Sequence, residues 1–137
     1  MEKKTGFFNG ILHVFYALNY SIQGLFTGLR YSTAIKQEFL VLILLGVLGW
    51  YTQKAWYLVA ASIITWLFVI VVELLNSAIE EALDLITHEY STKVKAAKDM
   101  GSAAVFILVL VNIFVQSLVY LPELYQLADY VKLYINK

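Results

Sequence analysis

Three stretches of the chain are nearly unbroken runs of apolar residues, and the polar positions between them are few and placed at their ends. Phe39 to Tyr51 is almost wholly apolar, and with Ala34 and Ile35 it predicts a first membrane span over residues 34–51. Thr52, Gln53 and Lys54 make a very short connection, after which Trp56 to Val72 is apolar again. No Gly or Pro interrupts the sequence beyond Val72, so this helix is predicted to run on to about Ile86, giving a second span over 56–86. A lysine-rich stretch, His88 to Asp99, precedes a third span over 100–121, for which Pro122 is the natural stop. Ahead of these spans, Phe7 to Arg30 mixes aromatic and aliphatic residues with Asn9, His13, Asn19, Ser21 and Gln23. It predicts an amphipathic helix on the membrane surface within residues 1–33, with a break near its end where Gly24 and Gly28 weaken the helix. The tail, 122–137, is rich in Tyr and Leu and fits a surface helix on the opposite leaflet.

The pattern thus predicts an all-α membrane protein, with a surface helix and three transmembrane helices in one domain of 137 residues. Composition agrees: 61% of residues are hydrophobic and 15% charged, too apolar for a soluble domain of this size. The absence of cysteine excludes disulfides and thiolate metal sites, and a net charge of +0 argues against nucleic acid as a partner. The start, MEKKTGFFNG, lacks the apolar core and cleavage site of a signal peptide, so targeting is expected to reside in the spans. Lys3, Lys4, Arg30, Lys36, Lys93, Lys95 and Lys98 fall on one side of the predicted membrane, and only Lys54, Lys132 and Lys137 on the other. That asymmetry predicts the N-terminus and the second connection in the cytoplasm.

Against this background Glu73, Asn76, Glu80 and Asp84 stand out. At helical spacing they fall within an arc of roughly 80°, so one face of the second span carries an amide and three carboxylates as it leaves the membrane. Ionisable groups at bilayer depth are costly and mark functional sites. Across the next connection Lys95, Lys98, Asp99, Gly101 and Ser102 stand where the third span is predicted to begin. Free backbone N–H groups there, with Lys98 as a point charge, would suit a phosphate, and Asp99 could equally be an N-cap. Carboxylates for a divalent cation beside a lysine for phosphate are what phosphoryl transfer from a metal–nucleotide requires. Neither a Walker loop nor a zinc-binding H-E-x-x-H occurs. A small cation-coupled transporter would explain Glu73 but not Lys98 and Asp99.

The stretches ELLNSAIEEALD (73–84) and KAAKDMGSAAV (95–105) resemble the signature of the prokaryotic diacylglycerol kinase family, small membrane lipid kinases that include undecaprenol kinases. The resemblance covers most of residues 6–121. It implies a homotrimer with sites between subunits on the cytoplasmic side of a bacterial inner membrane, and transfer of phosphate from MgATP to a lipid hydroxyl. Placed by motif, Glu73 resembles the catalytic base, Asn76 helps position it, and Glu80 matches a Mg2+ ligand. Asp84, Lys98 and Asp99, with Glu80, match positions near the nucleotide, and Ser102 and Glu38 join Glu73 on the lipid side. One departure is plain. Where the family has a second metal carboxylate six residues before Glu38, the stretch here is YSTAIKQE and Ser32 stands in its place. The implied reaction is phosphorylation of diacylglycerol, with undecaprenol as the other lipid and an inactive scaffold as the outcome if Ser32 removes the metal.

Overall fold

Each apolar run becomes a helix because a bilayer offers no water to its backbone polar groups, which must pair with one another. A computed structural model describes residues 7–86 and 91–135 of the chain, and among them there are four helices and no strand. These are α1 (Phe7–Tyr31), α2 (Thr33–Tyr51), α3 (Trp56–Ile86) and α4 (Thr92–Ile135). Three of them, α2, α3 and Thr92–Pro122 of α4, are long and apolar enough to cross a membrane. The chain is an all-α membrane protein.

Neither Gly24 nor Gly28 breaks α1, which runs without interruption to Tyr31. The chain turns instead at Ser32, whose extended backbone (φ −90°, ψ 124°) and side-chain oxygen cap α2 by accepting from the Ile35 amide at 3.3 Å. Gly28 lies where the end of α1 meets the bundle: a Cβ there would fall 2.8 Å from Leu74 and 2.9 Å from Ile35. Before that point, Leu12 to Thr27 stay exposed.

α3 is the central element, packed between α2 and α4. At the end near the 52–55 connection, Leu45, Val119 and Tyr120 are buried, with Val41, Leu58, Trp66 and Val115 packed around them. Deeper in the α3–α4 seam lies a polar layer. Ser62 Oγ donates to Gln116 Oε1 at 2.6 Å, Gln116 Nε2 donates to the Ser62 carbonyl at 3.2 Å, and Asn112 Nδ2 donates to the Thr65 carbonyl at 3.0 Å. Trp66 ties α3 to α2 by donating from Nε1 to the Glu38 carbonyl at 2.8 Å.

α4 departs from the sequence expectation at both ends. It starts at Thr92, so Asp99 and Gly101 are interior residues, and it passes through Pro122 to Ile135. A proline removes one N–H and crowds the carbonyl four residues back, at a cost of about 3 kcal/mol, but it forbids nothing beyond that turn. Here the turns on both sides are helical, and membrane helices tolerate such a defect where the freed carbonyl finds another partner. Residues 122–135 are therefore a continuation of α4 rather than a separate tail helix.

Candidate active site

A helix of 31 residues is about 46 Å long, well beyond the roughly 30 Å of a hydrocarbon core, so the last turns of α3 must emerge from it. The acidic face straddles that emergence. Glu73 and Asn76 are buried, at 8% and 7% exposure, Glu80 is half-buried and Asp84 is exposed. The four residues thus run along one face from the protein interior to its surface.

Local bonds link them in sequence. Ser77 Oγ, one turn on, donates to Glu73 Oε1 at 3.5 Å, and Asn76 Nδ2 donates to Glu80 Oε1 at 3.3 Å. On the opposing wall, α2 brings Glu38 within electrostatic reach of Glu73. Glu38 is itself buried, and its Oε2, like Asn76 Oδ1, has no hydrogen-bond partner. From α4, Lys98 Nζ pairs with Asp84 Oδ1 at 2.6 Å, joining the two motifs across the connection. The structure therefore brings together Glu38, Glu73, Asn76, Glu80, Asp84 and Lys98.

Asp99 and Ser102 stand apart from that row. Asp99 is exposed and pairs with Lys95 at 2.6 Å one turn back, and Ser102 is exposed on α4. The expectation of an anion site on free N–H groups at 98–102 is corrected here. These residues lie inside α4, their amides serve the helix ladder, and Asp99 is not its N-cap. Anion attraction at this point rests on the Lys98 side chain.

Between α1 and the outer part of α3 opens a cleft of about 1050 Å3, with Ser32, Glu80, Glu81 and Asp84 on its polar wall and Leu25 and Leu74 on its apolar one. Ser32 and Glu80, the two positions matched to a metal, share this cleft, although the Ser32 oxygen is engaged in capping α2. Among the described residues no three His, Cys, Asp or Glu side chains converge as a metal cage. That donor set suits Mg2+ held jointly with a nucleotide, since this ion takes one or two carboxylates and completes its shell with phosphate oxygens and water. His13 is exposed on α1, away from this row, and His88 lies outside the described residues.

Sequence reasoning passed over Ser77, Trp66 and the layer formed by Ser62, Thr65, Asn112 and Gln116. The layer had a legible signal: Asn112 and Gln116 stand four apart in an otherwise apolar span, as Ser62 and Thr65 stand three apart in the facing one. Gly101 meets α3 more closely than its place beside the basic residues of α4 suggests. The position a Cβ would occupy is filled by Asn76 Oδ1.

Comparison with known proteins identifies relatives of this chain. The family profile described as prokaryotic diacylglycerol kinase matches residues 19–120. A diacylglycerol kinase of Haemophilus influenzae is 35% identical over 98 residues, covering 72% of this chain and 83% of the relative. One of Escherichia coli K12 is 35% identical over 104 residues, covering 76% and 85%. An undecaprenol kinase of Bacillus subtilis is 37% identical over 75 residues, covering 50% and 61%. The matched region holds the whole acidic face of α3, the Lys98 motif and Glu38. With that extent of match and the motif residues gathered in one place, the chain belongs to the prokaryotic diacylglycerol kinase family.

Proposed function

We propose that the protein transfers the γ-phosphate of MgATP to the hydroxyl of a membrane lipid, with diacylglycerol the first substrate and phosphatidic acid the product. The observation that carries this reading is the continuous row on α3, from a buried carboxylate at Glu73 to a charged, open cleft at Glu80 and Asp84. A lipid headgroup is confined to the membrane boundary and a nucleotide to water, and a phosphoryl transfer needs the two to meet in line.

Glu73 accepts the proton of the lipid hydroxyl as its oxygen attacks the γ-phosphorus. The new O–P bond forms as the bond to the β-phosphate oxygen breaks, and ADP carries away that electron pair. Asn76 holds the carboxylate row in register through its bond to Glu80. Glu80 would hold Mg2+, with Ser32 in the same cleft. An ion held there would offset phosphate charge. Lys98 and Asp84 sit at the nucleotide edge, with Asp99 next to Lys98 in the chain, and Ser102 and Glu38 belong to the lipid side. Assembly as a homotrimer with sites between subunits, in a bacterial inner membrane with the cleft on the cytoplasmic side, follows from the family resemblance, and the excess of basic residues on the side of the cleft supports that orientation.

Undecaprenol is the second substrate reading, favoured by the relative that carries that name. The run MGSAAV at 100–105 favours diacylglycerol, since the undecaprenol branch tends toward A-A-G-A sequences there. Radiolabelled phosphate transfer from MgATP by the purified protein in mixed micelles, with the two lipids in parallel, decides between them. Label is expected in diacylglycerol. Label in undecaprenol alone reverses the branch, and label in neither, with the assembly intact, points to an inactive scaffold.

A further inference from the structure

Asn76 is almost fully buried, yet its Oδ1 has no hydrogen-bond partner, while its Nδ2 is committed to Glu80 Oε1 at 3.3 Å. Turning the carboxamide over would set Oδ1 against the Glu80 carboxylate, acceptor against acceptor, so the bond to Glu80 fixes which way the group faces and leaves Oδ1 on the α4 side. What fills the other side is the bare Cα of Gly101 on α4. A methyl group added there would overlap Asn76 Oδ1, with the rest of the Asn76 side chain close behind. The α3–α4 seam is thus too close for a side chain at the residue that links Glu73's helical turn to Glu80. Its separation is set farther along by the Ser62–Gln116 and Asn112–Thr65 bonds, so α4 has little freedom to withdraw.

We infer that Gly101 is a positioning residue for the phosphoryl-transfer site: its missing side chain forms the floor that holds the Asn76 carboxamide toward Glu80. This rests on the kinase reading only for its activity readout. With Ala at 101 the Asn76 side chain swings away, the bond to Glu80 is lost, and the Glu80 carboxylate is no longer fixed for Mg2+. The glycines of this chain supply their own controls. At Gly46 a Cβ meets nothing within 4 Å, whereas at Gly49, near the other membrane face, it meets Val59 at 2.6 Å. Gly46→Ala is therefore neutral, and Gly49→Ala disturbs packing without touching the site.

The experiment reads three variants, Gly101→Ala, Gly49→Ala and Gly46→Ala, in micelles. The first readout needs neither metal nor substrate: the side-chain amide signal of Asn76 by 15N NMR. Gly101→Ala is expected to move it, while the other two leave it in place. The second is the Mg2+ concentration for half-maximal lipid phosphorylation, expected to rise about tenfold or more in Gly101→Ala, as loss of an oriented ligand partner does. In Gly49→Ala it stays at the wild-type value even as thermal stability falls. An unmoved Asn76 signal in Gly101→Ala, or a Mg2+ shift of equal size in Gly49→Ala, overturns the inference. If Gly101→Ala does not fold, the same substitution in an Asn76→Ala background decides by thermal stability. The double variant is expected to match Asn76→Ala alone, and a further large loss would show that Asn76 is not what Gly101 accommodates. A wild-type protein that phosphorylates no lipid would defeat the kinase reading while leaving the amide and stability readouts in force.

Discussion

Replacing Glu73 by Gln keeps the shape and the Ser77 contact of a buried side chain while removing its ability to take a proton. Turnover in Glu73→Gln is expected to fall by at least about 100-fold, the scale of a lost general base, with thermal stability in micelles unchanged. Phosphorylation near the wild-type rate would remove Glu73 from that role. Ser32 poses the opposite question, because it caps α2 and also faces the cleft of Glu80. Ser32→Glu gives up a good N-cap, worth about 1 kcal/mol, and adds a carboxylate beside the proposed Mg2+ position. The Mg2+ requirement is expected to fall although the protein becomes less stable, and an unchanged titration would place the cation elsewhere. Most of this row was legible in the sequence, since helical spacing alone puts Glu73, Asn76, Glu80 and Asp84 on one face. Depth and facing partner were not. Spacing cannot tell that Glu38 comes within electrostatic reach of Glu73, that Asp99 is taken by Lys95, or that Gly101 rather than Ser102 meets Asn76.

Between elements, the polar layer of the α3–α4 seam fixes the register on which the Lys98–Asp84 and Gly101–Asn76 contacts depend. Asn112 is 1% exposed and spans the seam to Thr65. Asn112→Leu removes that bond and leaves Gln116 short of a partner, at a cost of about 0.6–2 kcal/mol. A lower thermal midpoint together with reduced turnover is expected, and full stability would assign the register to apolar packing alone. Pro122 tests the other misjudged element. The rule that proline ends a helix holds for the turn it occupies, and the residues beyond it have helical propensity enough to resume. Pro122→Ala is expected to slow hydrogen exchange of the backbone amides just after position 122, and protection equal to wild type would mean the proline places no defect there. The start of α4 escaped prediction for a related reason: lysines that look like a solvated connection also suit a helix interior, and charge alone does not separate the two.

At the scale of the whole molecule, the number of spans followed from three apolar runs separated by short polar breaks, a signal that tertiary contacts seldom override. What length and hydropathy leave open is orientation, because the same helices cross the bilayer equally well in either sense. Two features bear on it. Basic residues crowd the side of the α3–α4 connection, and the acidic face of α3 with its cleft emerges on that same side. On the proposed kinase reading the cleft faces the cytoplasm, the orientation that the charge asymmetry also predicts. The chain contains no cysteine, which makes single substitutions clean reporters. Gln53→Cys lies in the α2–α3 connection, and Lys93→Cys in the exposed first turn of α4. In spheroplasts, a membrane-impermeant maleimide is expected to label Gln53→Cys directly and Lys93→Cys only after permeabilisation. The reverse pattern would put the cleft outside, where no nucleotide pool supplies it, and would defeat the kinase mechanism however well the residues align.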